Sequence, residues 1–217
     1  MKGFKLFFLL TVGILLTSCG AKQIALNKQS YHSEKKVAVI INKTELKTMR
    51  LGSQGLLDIA VTPQKKYLKA LNEIDSIYSP KIHTALINEV KKIYDYTKKN
   101  YLIIDDSENL PTIIQNKKEV LDYNYIKETY EVDEIQEITL QYGIAITYHG
   151  FIEIEKKSFV NITSTITNID MNSIIQRYDK LTTGKLKGKW QNENYEILQN
   201  SLKECLTIAK RDFNSQF

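Results

Sequence analysis

The chain has 217 residues and a formal net charge of +5, from 30 lysines and arginines against 25 aspartates and glutamates. The basic residues are scattered among acidic ones, which excludes the clustered basic face of a nucleic-acid-binding protein. Two cysteines exclude a disulfide scaffold, and roughly 200 residues beyond the leader suffice for one domain with its own core.

Residues 1–18 open with Met-Lys-Gly-Phe-Lys, continue in an apolar run from Leu6 to Leu16 broken only by Thr11 and Gly13, and end in Thr17-Ser18. A positive start, a short apolar run and small residues before a cleavage point are the anatomy of an export signal. The run falls well short of the ~20 residues a spanning helix needs, and no later stretch supplies one. Leu16-Thr17-Ser18-Cys19 resembles the bacterial lipobox. That resemblance implies removal of residues 1–18, a diacylglyceryl group on the Cys19 thiol and a fatty acyl chain on the new amino terminus. Each buried CH₂ contributes about 0.8 kcal/mol, so such chains hold a protein on a bilayer. The alternative is a plain secretory signal that ends in a chance cysteine.

Gly20 to Lys36 is polar and aperiodic. Residues 19–36 are therefore expected to form a lipidated cysteine and a flexible tether, able to span roughly 55 Å at about 3.3 Å per residue. No acidic cluster of the kind that directs some lipoproteins to the cell surface follows Cys19. Gly20 stands where an inner-membrane retention signal has aspartate. By these resemblances the protein is an envelope lipoprotein of the outer membrane, facing the periplasm.

Residues 37–217 are expected to fold as one mixed α/β domain. Val37-Ala38-Val39-Ile40-Ile41 has the length and β-branching of a buried strand. Gly52-Ser53-Gln54-Gly55 punctuates the next stretch, and Leu56 to Val61 follows. Thr62-Pro63 and Ser79-Pro80 each combine a capping residue with proline at the first helical position, predicting two successive helices. The first carries Tyr67, Leu71, Ile74 and Tyr78 on one face, the second Ile82, Leu86, Val90, Ile93 and Thr97. Tyr101 to Asp105 reads as a second buried strand, completing a βαβ-like unit.

Asp106 to Pro111 is a loop, and Lys117 to Tyr130 predicts a weaker helix. Tyr142–Ile154 and Ser158–Ile169 read as long strands; in the second, Val160, Ile162, Ser164 and Ile166 alternate with polar residues, the pattern of a sheet with one wetted face. Asp170-Met171-Asn172 turns the chain. Ser173–Tyr178 and Lys185–Trp190 are expected as separate strands joined through Thr182-Thr183-Gly184. A closing helix carries Tyr195, Leu198, Leu202, Leu206, Ala209 and Phe213 on one stripe, with Cys205 beside them.

This order of elements, with Tyr178-Asp179-Lys180-Leu181-Thr182-Thr183-Gly184-Lys185-Leu186 followed by Trp190, resembles the periplasmic α/β domain of the CsgG and TolB amino-terminal-like outer-membrane lipoproteins. The resemblance implies an accessory of envelope assembly, secretion or trafficking. It does not extend to a pore, because no pair of long amphipathic strands suited to a transmembrane barrel is evident.

Chemistry is sparse. His32, His83 and His149 lack a second ligand at metal spacing, and no cofactor motif is present, so neither metal nor cofactor is expected. Cys205 has no cysteine partner once Cys19 is acylated, leaving a core thiol or, as the sharper alternative, a reactive one. Asp105 and Asp106 follow a buried strand, where ligands bind in open α/β sheets, and paired carboxylates there could do acid–base work. Gly52–Gly55 lacks the lysine and hydroxyl residue of a phosphate loop. Thirteen tyrosines are present, and Tyr101, Tyr123 and Tyr125 cluster in sequence near the two aspartates. Tyrosine suits interfaces because its ring buries area while its hydroxyl stays wet, although general enrichment in Tyr, Lys, Asn and Ile offers a compositional alternative. The leading expectation is a non-catalytic lipoprotein binding another envelope protein or itself. The runner-up is a hydrolase or small-ligand-binding protein with a cleft at Asp105 and Asp106.

Overall fold

The computed structural model describes residues 22–27, 31, 34–42, 44–51, 65–105, 109–149, 152–188, 190–191 and 193–217. The expected signal, Cys19, His32, the Gly52–Gly55 loop, the Leu56–Val61 run, the Thr62-Pro63 start and Asp106 lie outside them.

A six-stranded mixed sheet organises the chain. Its strands are β1 (Val37–Ile41), β2 (Glu45–Leu51), β3 (Tyr101–Ile104), β6 (Glu134–His149), β7 (Ile152–Asn168) and β8 (Ser173–Lys185), and β4 (Thr112–Gln115) and β5 (Lys118–Leu121) form a separate hairpin. The main order is β3-β1-β6-β7-β8, with β2 continuing the β1 rung along the second half of β6. β1 is parallel to both β3 and β6, so β1, the long helix and β3 form the βαβ connection expected from sequence. β6, β7 and β8 are antiparallel neighbours.

Helix α1 (Lys65–Thr97) and the closing helix α3 (Glu196–Asn214) cover one face of the sheet; α2 (Tyr123–Tyr130) covers only the β1–β3 end of the other. β1 is therefore buried on both sides: Val37, Val39 and Ile41 join the core under the long helices, and Ala38 and Ile40 join Ile104, Ile126 and Ile135 under α2. This is the physical meaning of an uninterrupted apolar run. On β7, Val160, Ile162, Ser164 and Ile166 are buried beneath the helices, while Asn161, Thr163 and Thr165 on the other face are half-buried.

Several boundaries differ from expectation. The two helices predicted around Ser79-Pro80 are one helix of 33 residues. Pro80 removes one backbone hydrogen bond, but the Ser79 hydroxyl lies 2.9 Å from both Asp75 Oδ1 and the Tyr142 hydroxyl, which itself donates to Asp75 at 2.9 Å. That triangle, and an apolar face from Tyr67 to Ile93 packed on one core, carry the helix through the proline. The helix expected from Lys117 begins only at Tyr123. Asn116 and Lys117 both have positive φ, at 52° and 63°, and close a two-residue hairpin between β4 and β5. Asp122 then caps α2, accepting from the backbone N–H groups of Asn124 and Tyr125 at 3.1 Å each.

The strand expected over Tyr142–Ile154 crosses from β6 into β7. β2 was not foreseen at all. Its close approach to β6 depends on Gly143: a Cβ there would sit 1.9 Å from the Lys47 carbonyl oxygen. Thr182-Thr183-Gly184 is not a turn but the interior of a continuous β8. Gly184 serves helix packing, since a Cβ would stand 2.6 Å from Ser201 Oγ and 3.0 Å from Cys205 Sγ on α3. Residues 178–185, most of the stretch carrying the likeness to the CsgG and TolB group, thus lie within one continuous strand rather than a hairpin.

The described part of the expected tether is also bound. Ile24 exchanges both backbone hydrogen bonds with Arg177 of β8, at 2.9 and 3.0 Å, and Gln23 Nε2 donates to the Asp179 carbonyl. Tyr31 is fully buried, and its ring packs against Tyr94 and Phe217.

Candidate functional site

Asp105 closes β3, and its exposed carboxylate lies 2.7 Å from His83 Nε2. His83 sits one turn beyond Pro80 on α1. Its Nδ1 lies 3.4 Å from the hydroxyl of buried Thr44, between β1 and β2. The three groups meet at the carboxyl ends of β1 and β3, where open α/β sheets bind ligands. An Asp–His–hydroxyl order can orient the imidazole to accept a hydroxyl proton. With Thr44 buried and the contact long, the arrangement here acts as a tie between α1 and the ends of two strands. Sequence reasoning missed His83 because its partner is 22 positions away and no local pattern links them.

The three tyrosines proposed from sequence do not share a surface. Tyr101 stands at the opposite end of β3 from Asp105, stacks on Tyr94 at 4.9 Å and donates to Asp95 at 3.0 Å, on the α1 side of the sheet. Tyr123 and Tyr125 lie on α2, on the other side; Tyr125 is exposed, and the Tyr123 hydroxyl donates to Glu137 on β6. Burial, and then the Glu137 charge, push the Tyr123 phenol well above its ordinary value, so it remains a donor.

Tyr123 instead borders a different surface. Beyond α2, the face of β6, β7 and β8 opposite the long helices has no helix packed on it among the described residues. Glu137 and Thr139 on β6, Thr163 and Thr165 on β7 and Arg177 on β8 line a shallow cleft of about 350 Å³ with Tyr123 at its rim. Asn42 Nδ2 donates to Thr139 Oγ1 at 2.9 Å, fixing one edge. The alternating threonines were legible in the sequence. That they form a surface with a carboxylate and a guanidinium was not.

No protein-family model matches the chain, and no curated protein matches it. Solved structures do. A protein from Helicobacter pylori described as a homolog of neuraminyllactose-binding hemagglutinin is 11% identical, with 89% of this chain and 87% of that one covered and a TM-score of 0.36. PelC from Paraburkholderia phytofirmans, described as a dodecamer, is 10% identical over 86% of this chain and 93% of its own, with a TM-score of 0.33. A lipoprotein from Neisseria meningitidis is 10% identical over 81% and 99%, with a TM-score of 0.31.

Several other titratable groups lie in the core. Cys205 is 1% exposed with Sγ 3.4 Å from Ser158 Oγ; burial pushes its thiol up, which suits a small core hydrophobe rather than a nucleophile. Lys99 and Glu134 form a buried ion pair at 3.0 Å, and Lys99 Nζ also donates to the Tyr31 carbonyl at 2.7 Å. Desolvation raises the Glu134 carboxyl, opposed by Lys99, and burial pushes the Tyr31 phenol up to about 12. Among the described residues no group of three His, Cys, Asp or Glu side chains could hold a metal ion, and no helix is long and apolar enough to cross a membrane.

Proposed function

We propose that this chain is a lipid-anchored envelope protein, acylated at Cys19 once residues 1–18 are removed, that works by protein–protein contact as an assembly, secretion or trafficking accessory in the outer membrane, facing the periplasm. Its partner is another envelope protein or a second copy of itself. The observation that carries this reading is the open face of β6–β8. A sheet face that is half-buried, hydroxyl-rich and, among the described residues, free of helical cover presents hydrogen-bonding groups to a partner. Glu137 and Arg177 give it both signs of charge, which suits a mixed polar interface and also a two-fold one, where each residue meets its complement. The lipobox supports the anchor.

Two measurements test it. The native chain should fractionate with membranes and carry fatty acid, while Cys19→Ser should not; native protein washing into the soluble fraction without acyl chains would contradict the anchor. Affinity purification from detergent-solubilised envelope should recover a defined partner or oligomer. A monodisperse monomer with nothing attached would contradict the accessory role.

The His83–Asp105 pair favours a second reading, a hydrolase or small-ligand-binding protein at that strand edge. Under it, Asp105→Ala and His83→Ala abolish function while the thermal transition survives. Unchanged function in both variants ends that reading.

A further inference from the structure

The docked segment after Cys19 decides how far the body stands from its anchor. Ile24 is hydrogen-bonded to Arg177 at both backbone positions, in antiparallel sense. Only the stretch from Cys19 to Gln23 precedes it, and those residues reach at most about 17 Å at ~3.3 Å per residue. A free tether from Cys19 to Lys36 would have allowed the domain to float several times further away. The segment runs antiparallel to β8, and Gln23, which donates to the Asp179 carbonyl, already lies on the Lys185 side of Ile24.

That end of the sheet has an unusual edge. β7 pairs with β8 only from Lys157 onward, so the start of β7, from Ile152, overhangs the end of β8 together with the end of β6. Ile152 and Ile154 on this overhang are 70% and 63% exposed. Between the overhang and the chain leaving β8 lies a groove of about 500 Å³, bordered by Ile154, Lys156, Lys185 and Lys187. Lys156 and Lys157 are paired with Glu153 and Glu155 at 3.4 and 3.0 Å. Lys185 and Lys187 are exposed and carry no ion pair among the described residues. Branched apolar side chains beside uncompensated lysines, on the side of the sheet toward which Gln23 steps from Ile24, match the interface of an anionic bilayer: the apolar groups enter the headgroup boundary and the ammonium groups meet phosphate.

We propose that the overhanging start of β7 and the end of β8 form a membrane-seating surface, with Ile152 and Ile154 at the headgroup boundary and Lys185 and Lys187 on the phosphates of anionic phospholipid. The proposal rests on acylation of Cys19, which supplies the short foot. It sets the orientation of the domain on the bilayer and leaves the cleft of Thr163 and Thr165, eleven residues and more along β7 from Ile152, clear of that contact, where a partner can reach it.

The test uses the acylated full-length product reconstituted into phosphatidylethanolamine–phosphatidylglycerol vesicles with brominated acyl chains. A polarity-sensitive dye is placed on Ile154→Cys or, as control, on Met171→Cys, which is 71% exposed in the turn at the other end of β7. Native Cys205 is buried and does not compete for label. The dye at position 154 should lose emission to the bromines and shift to the blue, while that at position 171 stays unchanged. Lys185→Glu with Lys187→Glu should bring the signal at position 154 down to the control level while the protein still floats with the vesicles. An unquenched dye at position 154 on protein that floats overturns the seating and leaves the anchor standing. Quenching that survives the double charge reversal overturns the anionic-surface assignment. Native protein that does not float overturns the anchor and the seating together.

Discussion

The two ends of the sheet obey different rules. At the β1–β3 end the sheet is sandwiched, with α1 on one side and α2 on the other; at the β7–β8 end α3 covers one side and, among the described residues, no helix covers the other. Val37-Ala38-Val39-Ile40-Ile41 is buried at every position, whereas β7 between Val160 and Ile166 alternates buried residues with half-buried polar ones. One sheet thus holds two layer architectures, and the number of layers over a strand is written in its hydrophobic period. The end covered twice is where stability is concentrated, and the end covered once keeps a face available for contact.

The largest effect should come from the sandwiched end. Lys99→Met leaves Glu134 buried without its partner and also releases the Tyr31 carbonyl, so urea unfolding should show a loss of about 3–5 kcal/mol. Ile40→Ala, in the core beneath α2, should cost about 2–5 kcal/mol in the same assay, against a change within about 0.5 kcal/mol for Thr163→Ala on the open face. Equal losses for those two would erase the contrast between the ends.

At the singly covered end, Gly184→Ala should destabilise by about 1–3 kcal/mol, because the new methyl group meets Ser201 and Ser158 where α3 lies against β8. The same urea assay reads it. Smallest is a pH effect on the clasp between the long helices. Burial pushes the Glu89 carboxyl up, but Asn214 and Lys210 of α3, with Lys92 beside it, outweigh burial and hold it below its ordinary value. A depressed carboxyl stabilises the fold above its unfolded value, and the contribution disappears as pH falls through the lower folded one. Glu89→Gln should therefore flatten the acid limb of the stability curve by no more than about 1 kcal/mol.

Much of the fold could be read from the residues because local pattern and tertiary role coincide in β1, the face of α1 from Ile82 to Ile93, β7 and α3. Reading failed where a tertiary contact overrode a local signal. Ser79-Pro80 looks like a helix start, yet Asp75 and Tyr142 hold the helix through it. Thr182-Thr183-Gly184 looks like a turn, yet the glycine is there for α3. Asn116-Lys117 closes a hairpin without the glycine that usually announces one. The candidate site was less legible still. Asp105 stood out, but His83 did not, and Tyr101 parts from Tyr123 and Tyr125 because strand pairing sends them to opposite sides of the sheet. The open face has no motif; it arises only when β6, β7 and β8 are laid side by side.

The most direct test places a photo-crosslinking amino acid at Thr165 on the open face, and in a second variant at Glu204 on the outer side of α3, in cells that make the lipidated protein. Position 165 should give one discrete adduct, with a partner or a second copy, and position 204 none. Adducts from position 204 alone, or from neither position in protein that fractionates with membranes, would contradict contact through the open face.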